Sequence, residues 1–428
     1  MARLNLLWLV VLSAGCTWVT QDQPPNIVLI MADDLGYETL GVNGSTHYKT
    51  PHLDQLAQTG MRFTQAHATP LCTPSRVQLM TGKYNFRNYI GFGLLDPEEQ
   101  TFAHLLRDAG YRTAVVGKWQ LYGNARQREL AGRGGSVPED AGFDEYALWQ
   151  VKERGRRFWS PTLDIAQEGV QSFPDAYGPD LFAEYIGAFM ERNRDRPLFL
   201  YYPMVLTHDP FQPTPNEGFV DHAVNDTAYF AANVAYMDEV VGRITAHLDR
   251  LDLREKTLLL FIGDNGTDRD VTSQVAGKLI RGQKGYPTRA GTHVPMIANW
   301  PGIIGEGQVN DNLIDLTDFL PTLMEVAQED IPVESVTDGL SFFGQLLGKA
   351  DTTRSWIFCH YDPRWGNFPP RRWAQDKTWK LYDNGMFYHT EDDPDEQFPL
   401  ADSALDATGQ QARQHLQEVL QKMTLSTR

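Results

Sequence analysis

The chain has little cysteine, 3 in 428 residues, so no disulfide framework holds it and stability must come from packing. It also lacks an apolar run long enough to cross a bilayer. The stretch Leu6-Leu7-Trp8-Leu9-Val10-Val11-Leu12 stops well short of the roughly 20 residues a membrane helix needs. Basic residues are in deficit, with 38 Lys and Arg against 55 Asp and Glu, for a formal net charge of −17. A surface of that sign repels polyanions at long range, which argues against a nucleic-acid or anionic-membrane binder. An anionic substrate would have to be attracted locally. Neither an internal repeat nor a low-complexity tract interrupts the chain.

What is present begins with a leader. Arg3, the apolar run and small residues before Cys16 have the three-part build of a secretory signal, so residues 1–20 are expected to be a signal peptide. Cys16, preceded by Leu12-Ser13-Ala14-Gly15, is similar to a bacterial lipoprotein site, although Ser13 stands where Leu is commoner. A lipid anchor at Cys16 and simple cleavage nearby both remain open. Either route exports the protein to a periplasmic, outer-membrane-anchored or secreted location. The length exceeds what one simple core holds, so a large α/β domain with a smaller partner is expected.

After the leader, short strand-like runs alternate with helix-length stretches, the pattern of a sheet covered on both faces. Asn26 to Met31 is a continuous apolar run, hence a central strand, and it ends at Ala32-Asp33-Asp34-Leu35-Gly36. Two adjacent carboxylates there are costly unless something positive pairs with them. Arg112 to Val116 delivers Gly117-Lys118-Trp119-Gln120-Leu121. Pro197 to Tyr202 leads into Thr207-His208-Asp209-Pro210-Phe211, and Thr257 to Ile262 ends at Gly263-Asp264-Asn265-Gly266. Helices are expected from Pro51, capped by Thr50, to Ala57, and over Gln100 to Ala109, Phe182 to Met190, Thr227 to Leu251 and Leu313 to Ala327. Gly123 to Pro179, rich in Gly, Arg and Pro, reads as an irregular insertion. Its Arg126, Arg128, Arg133, Lys152, Arg154, Arg156 and Arg157 are expected to be mostly solvated. From about Asp351 the texture changes to short aromatic strands and a final helix over Ala404 to Lys422, an α+β appendage with an antiparallel sheet. A main domain over 24–350 and a subdomain over 351–428 follow.

The chain is organised around Leu71-Cys72-Thr73-Pro74-Ser75-Arg76, which runs on to Thr81-Gly82-Lys83-Tyr84. Pro74 suits a first helical turn and Gly82 a stop, so a loop feeds a short buried helix with Cys72 at its positive end. That end, with Arg76 one turn on, is expected to lower the thiol pKa and attract anions.

This run closely resembles the signature of the type I sulfatases, whose cysteine is oxidised after synthesis to formylglycine. Gly117-Lys118-Trp119-Gln120-Leu121, the Thr207-His208-Asp209-Pro210-Phe211 loop, and Arg281-Gly282-Gln283-Lys284-Gly285 also resemble that family's loops, in order along nearly the whole mature chain. The resemblance implies the alkaline-phosphatase-like fold, a large mixed, mostly parallel sheet sandwiched by helices, with a smaller C-terminal antiparallel-sheet subdomain. It also implies a sulfate monoester substrate and a maturation enzyme that makes formylglycine from Cys72; the expected export, the arginine-rich insertion and the aromatic residues Trp149, Phe158 and Trp159, which stack on sugar rings or pack in the core, favour a sulfated carbohydrate. Cys72, Arg76, Lys118, His208 and Lys284 fall on the family's site positions, while Gln120 replaces a histidine and His293 an arginine. Asp33, Asp34, Asp264 and Asn265 match its metal loop, with position 72 completing the shell. Only hard oxygen ligands are offered by those four, which suits calcium, with magnesium as second choice. By resemblance, hydrated formylglycine attacks sulfur, the alcohol departs, and sulfate is expelled as the aldehyde returns.

With Cys16 lost or lipidated and Cys72 converted, Cys359 has no disulfide partner. Three rival readings stand beside this one: a phosphate or phosphonate ester hydrolase of the same fold, a carbohydrate-binding pseudoenzyme, and a purely structural exported protein. Gln120 is the departure with chemical weight, because an amide donates a hydrogen bond but exchanges no proton near pH 7.

Overall fold

The computed structural model describes residues 24–425 apart from 153, 220–223, 334 and 350–351. The leader, Cys16 and the junction between 350 and 351 lie outside the described residues. In chain order the strands are β1 (Asn26–Ala32), β2 (Met61–His67), β3 (Arg112–Lys118), β4 (Glu145–Trp149), β5 (Thr162–Ile165) and β6 (Gly169–Ser172). There follow β7 (Leu198–Pro203), β8 (Thr257–Gly263), β9 (Thr272–Val275), β10 (Lys278–Arg281), β11 (Met296–Asn299) and β12 (Gln308–Asp315). The last four are β13 (Ile357–Tyr361), β14 (Arg371–Gln375), β15 (Trp379–Tyr382) and β16 (Phe387–His389).

Ten strands form one sheet in the order β12-β2-β11-β8-β1-β7-β3-β4-β5-β6. The run β8-β1-β7-β3-β4 is parallel throughout, and β11 and the β5–β6 edge are antiparallel. Alternate residues feed two cores. Ile27, Leu29 and Met31 of β1 face the helices Cys72–Thr81, Phe102–Asp108 and Phe319–Val326. Val28, Ile30 and Ala32 face Pro51–Gln58, Gly178–Asn193 and Phe230–Arg250. Burial on both sides explains why the central strands read as unbroken apolar runs. Strands β13 to β16 form a separate antiparallel sheet, with Leu416, Val419 and Met423 of the helix Ala407–Leu425 in its core. This is the mixed, mostly parallel sheet and antiparallel subdomain that the resemblance implies.

Parallel pairing has the consequence that matters for function. Strands β1, β3, β7 and β8 release Asp33, Lys118, the His208 loop and Asp264 at one edge, the place where open α/β sheets bind ligands.

Three local expectations are corrected. Leu313 to Asp315 complete strand β12 beside β2, and the helix begins only at Phe319, because Asp315 accepts from Thr317 N and caps the turn Leu316–Asp318 that leads into it. Gly123 to Pro179 is not irregular throughout: it holds the helix Ala125–Ala131, capped by Asn124, and then β4, whose apolar face pairs with β3. Thr50 stands at the N-cap of its helix, but its hydroxyl makes no capping bond to a helix N–H and donates instead to Asp54 Oδ1 at 3.1 Å. Cys72 and Cys359 are both free and buried, in keeping with a fold held by packing.

Candidate active site

Cys72 is the first residue of a helix whose ten residues are all buried, and Gly82, at φ 66°, turns the chain out of it. Ser75 hydroxyl fastens the approach to this helix by accepting from Thr69 N at 3.0 Å. Burial raises the Cys72 thiol, and nearby Lys118 does not offset it, so the lowered thiol expected from the helix terminus is not found. The N-terminal field is outweighed by loss of solvent and by the carboxylates of Asp33 and Asp264. Arg76 is also placed differently from a pocket cation. Its guanidinium donates to the carbonyls of Trp119 at 2.5 Å and Lys118 at 2.6 Å, fixing the end of β3.

Around Cys72 the strand ends supply a charged cradle. Lys118 Nζ donates to Asp33 Oδ2 at 2.8 Å, with both side chains buried. Burial alone would raise Asp33, but Lys118, His208 and Lys284 overcome it and hold the carboxyl below the ordinary range. Asp264 goes the other way: burial, then the charges of Asp33 and Asp34, push it well up. Asp34 N donates to Asp264 Oδ1 at 3.0 Å, and Asn265 Nδ2 to Asp34 Oδ1 at 2.8 Å. Lys284 donates to Asp34 Oδ2 and lies 3.2 Å from His208 Nε2. Beneath the cradle, Thr267 hydroxyl accepts from Gly36 N at 3.0 Å and donates to the buried Glu38, tying the loop after β1 to the loop after β8.

A cation fits here. Asp33 Oδ1 and Asn265 Oδ1 are buried acceptors with no hydrogen-bond partner, a costly condition that a hard cation would relieve. Ligand atoms of Asp33, Cys72 and Asp264 lie within 4.8 Å of one another, as do those of Asp33, Asp34 and His208.

The cradle forms the floor of a cavity of about 330 Å³, lined among others by Cys72, Gln120, Arg157, His208, Lys284 and Trp365. All the sequence-predicted site residues meet at this floor or directly behind it. Cys72 Sγ stands 4.0 Å from Gln120 Oε1. Neighbouring charged and aromatic residues take other places. Arg289 and His293 lie at the seam with the C-terminal sheet: Arg289 packs near Lys380, and His293 stacks on Tyr37 and His67. Lys278 is exposed on the β9–β10 hairpin. Phe158 and Trp159 are core, whereas Trp149 reaches the cavity.

Three participants escape the sequence reading. Arg157, expected to be solvated, is buried against the rings of Trp149 and Phe158 and donates to the Asp209 carbonyl. Asp209 itself faces His208, and its place directly after that histidine was the one available signal. Trp365 comes from the segment between β13 and β14 and stacks on Phe92 at 5.4 Å, a contact between distant segments that no local motif announces.

The family model for sulfatases matches residues 25–329. The chain belongs to the sulfatase family. This sulfatase is 32% identical to human arylsulfatase A over 370 residues, spanning 78% of this chain and 70% of that one. It is 28% identical to the N-acetylgalactosamine-6-sulfatase of Canis lupus familiaris, over 92% of this chain and 85% of the relative. Among solved structures, Ps i-CgsB in complex with k-i-k-neocarrahexaose superposes with a TM-score of 0.77 at 22% identity, covering 95% of this chain and 93% of the other. The sulfatase is accordingly a sulfuric ester hydrolase, and its acidic cluster is of a kind that can hold a divalent metal.

Proposed function

We propose that this sulfatase is exported and hydrolyses sulfate monoesters of a carbohydrate, using formylglycine made from Cys72 by a maturation enzyme, and calcium, with magnesium as second choice. The observation that carries the reading is the meeting of Cys72, Asp33 and Asp264 within 4.8 Å at a cavity floor flanked by Lys118 and Lys284. An unmodified thiol raised by burial is a weak nucleophile, which favours conversion at this position. Formylglycine at position 72 would supply a hydrated aldehyde as the nucleophile toward sulfur, and Asp33, Asp34, Asp264 and Asn265 would hold a cation able to neutralise sulfate oxygens.

The chain's own residues do the rest. Lys118, which is buried, and Lys284, which is mostly so, present fixed positive charge to the ester's oxygens, where such charge acts more strongly than in bulk water. His208 and Lys284 stand at the leaving-group end. Arg76 keeps Lys118 in place through the carbonyls it holds. Gln120 faces position 72 with an amide, so the proton released there goes to an aspartate of the cation site or to water.

The carbohydrate assignment rests on the cavity walls. Phe92 and Trp365 stack with an interplanar angle of 9°, and Trp149 and Phe368 line the same space. Flat aromatic faces match the apolar faces of sugar rings. A relative named for N-acetylgalactosamine 6-sulfate and a structural neighbour solved with a neocarrahexaose support it. Export rests on the leader over 1–20, with a lipid anchor at Cys16 as one form of it; among the described residues no helix is long and apolar enough to cross a membrane. The division into a catalytic domain over 24–350 and a subdomain over 351–428 is supported by the separate four-stranded sheet.

The test is a panel of defined sulfated oligosaccharides, with phosphate esters beside them, scored for free sulfate or phosphate using protein whose residue-72 peptide is checked by mass spectrometry. Sulfate release from sugars supports the reading. Faster turnover of the phosphate esters, or binding of sugars without release, would overturn it.

A further inference from the structure

Resting on that mechanism, we propose that Asp209 is a positioning residue for the leaving-group end of the site, orienting His208 and, through it, Lys284. The side chains line up as a chain of hydrogen bonds. His208 Nδ1 lies 2.7 Å from Asp209 Oδ1, and His208 Nε2 lies 3.2 Å from Lys284 Nζ. An ammonium has only protons to offer, so Nε2 must turn a lone pair to Lys284. The proton on the other ring nitrogen, Nδ1, then faces Asp209, whose carboxylate Oδ1 and backbone carbonyl both lie 2.7 Å away. One tautomer and one ring orientation satisfy both ends.

Arg157 completes the device from behind. Its Nη2 stands 3.2 Å from His208 Nδ1 and donates to the Asp209 carbonyl, the same oxygen that lies 2.7 Å from Nδ1, so the guanidinium competes with the ring for the carbonyl while the Asp209 carboxylate stays at 2.7 Å from Nδ1. The guanidinium lies 4.6 Å from the Trp149 ring centre and 5.3 Å from that of Phe158, which keeps it from turning. The Asp209 backbone is therefore pinned while its carboxylate holds the imidazole. Lys284, bridged between His208 and Asp34, is aimed by the same contacts.

This arrangement serves the bond that breaks. As the bond from the nucleophile at position 72 to sulfur forms, the ester S–O bond breaks and its electron pair stays on the bridging oxygen. That oxygen takes the proton shared by Lys284 Nζ and His208 Nε2, and the pair regains a proton from solvent. A sugar alkoxide needs this proton far more than an activated phenoxide does, so orientation of the pair is felt selectively.

The experiment uses the full chain, converted at residue 72 and supplied with calcium, with two esters: the best sugar sulfate of the panel above and 4-nitrophenyl sulfate. Asp209→Ala is expected to lower kcat on the sugar sulfate by roughly 30- to 100-fold, near the lower end of what general acid catalysis contributes, with KM little changed. On 4-nitrophenyl sulfate the same variant stays within about threefold. Asp209→Asn keeps an oxygen that accepts the Nδ1 proton and recovers most of the loss. Equal losses on both esters, no loss on either, or an Asn variant as poor as the Ala variant would each overturn the inference. Should the Ala variant not fold, Asp209→Ser, whose hydroxyl stops short of Nδ1, takes its place in the comparison. Wild-type protein active on both esters but indifferent to these substitutions sinks this inference alone; wild-type protein inactive on both sinks the mechanism it rests on.

Discussion

Cys72 Sγ and Gln120 Oε1 face each other at 4.0 Å, one from the start of a buried helix and one from the end of β3. A side chain that cannot exchange protons thus stands where the nucleophile of the proposed mechanism must lose one. Gln120→His, which introduces a base with an ordinary pKa of about 6.5, is expected to raise turnover at least about tenfold and to add a new acidic limb to its pH profile. Steady-state rates across pH check this; turnover and profile both unchanged would mean the position has no such role.

The unpartnered oxygens of Asp33 and Asn265 predict that a divalent cation is bound and that it stabilises the fold. Calcium at 100 times its dissociation constant adds about 2.7 kcal/mol by mass action, seen as a rise in melting temperature that a chelator reverses. Asp264→Asn should abolish both the bound calcium measured by elemental analysis and the chelator response. A variant that keeps both would remove Asp264 from the ligand set.

His67 and His293 predict acid sensitivity. Burial first, then the charges around them, hold both rings well below their ordinary pKa; His67 has His293, Arg289 and Lys380 nearby, and His293 has Arg289. Both are neutral in the fold, while the unfolded chain takes up a proton at each as pH falls below about 6.5. Stability is therefore full above that value and declines below it, by up to about 2.7 kcal/mol per pH unit for two groups. Urea unfolding at pH 7.5 and pH 5 measures the decline, and His67→Gln should make it shallower. An unchanged slope would contradict the assignment.

Trp365 predicts a split between substrates. Trp365→Ala removes one face of the stack with Phe92, and should raise KM for a sulfated oligosaccharide about tenfold, the equivalent of ~1.4 kcal/mol, while leaving 4-nitrophenyl sulfate nearly unchanged. Equal effects on both would place Trp365 in the scaffold.

Much of this was legible in the chain itself. The central strands announce themselves as apolar runs because they are buried on both faces, and each ends in the polar group it delivers: Asp33, Lys118 and Asp264. The helix at Cys72 is bounded by Pro74 in its first turn and Gly82 past its last. What could not be read depends on contacts between distant segments. The last residues of β12, Leu313 to Asp315, looked helical because the partner β2 lies far away in sequence, and the Cys72 thiol looked acidic because its burial was not visible locally. Arg157 looked like surface charge, since only the fold shows Trp149 and Phe158 enclosing it.

The central claim is tested most directly by measuring free sulfate released from the sulfated oligosaccharide panel by two preparations of the same chain, one carrying formylglycine at residue 72 and one retaining Cys72. Release should track the converted fraction and vanish in the unconverted protein. Equal release from both preparations would show that the chemistry does not run through position 72.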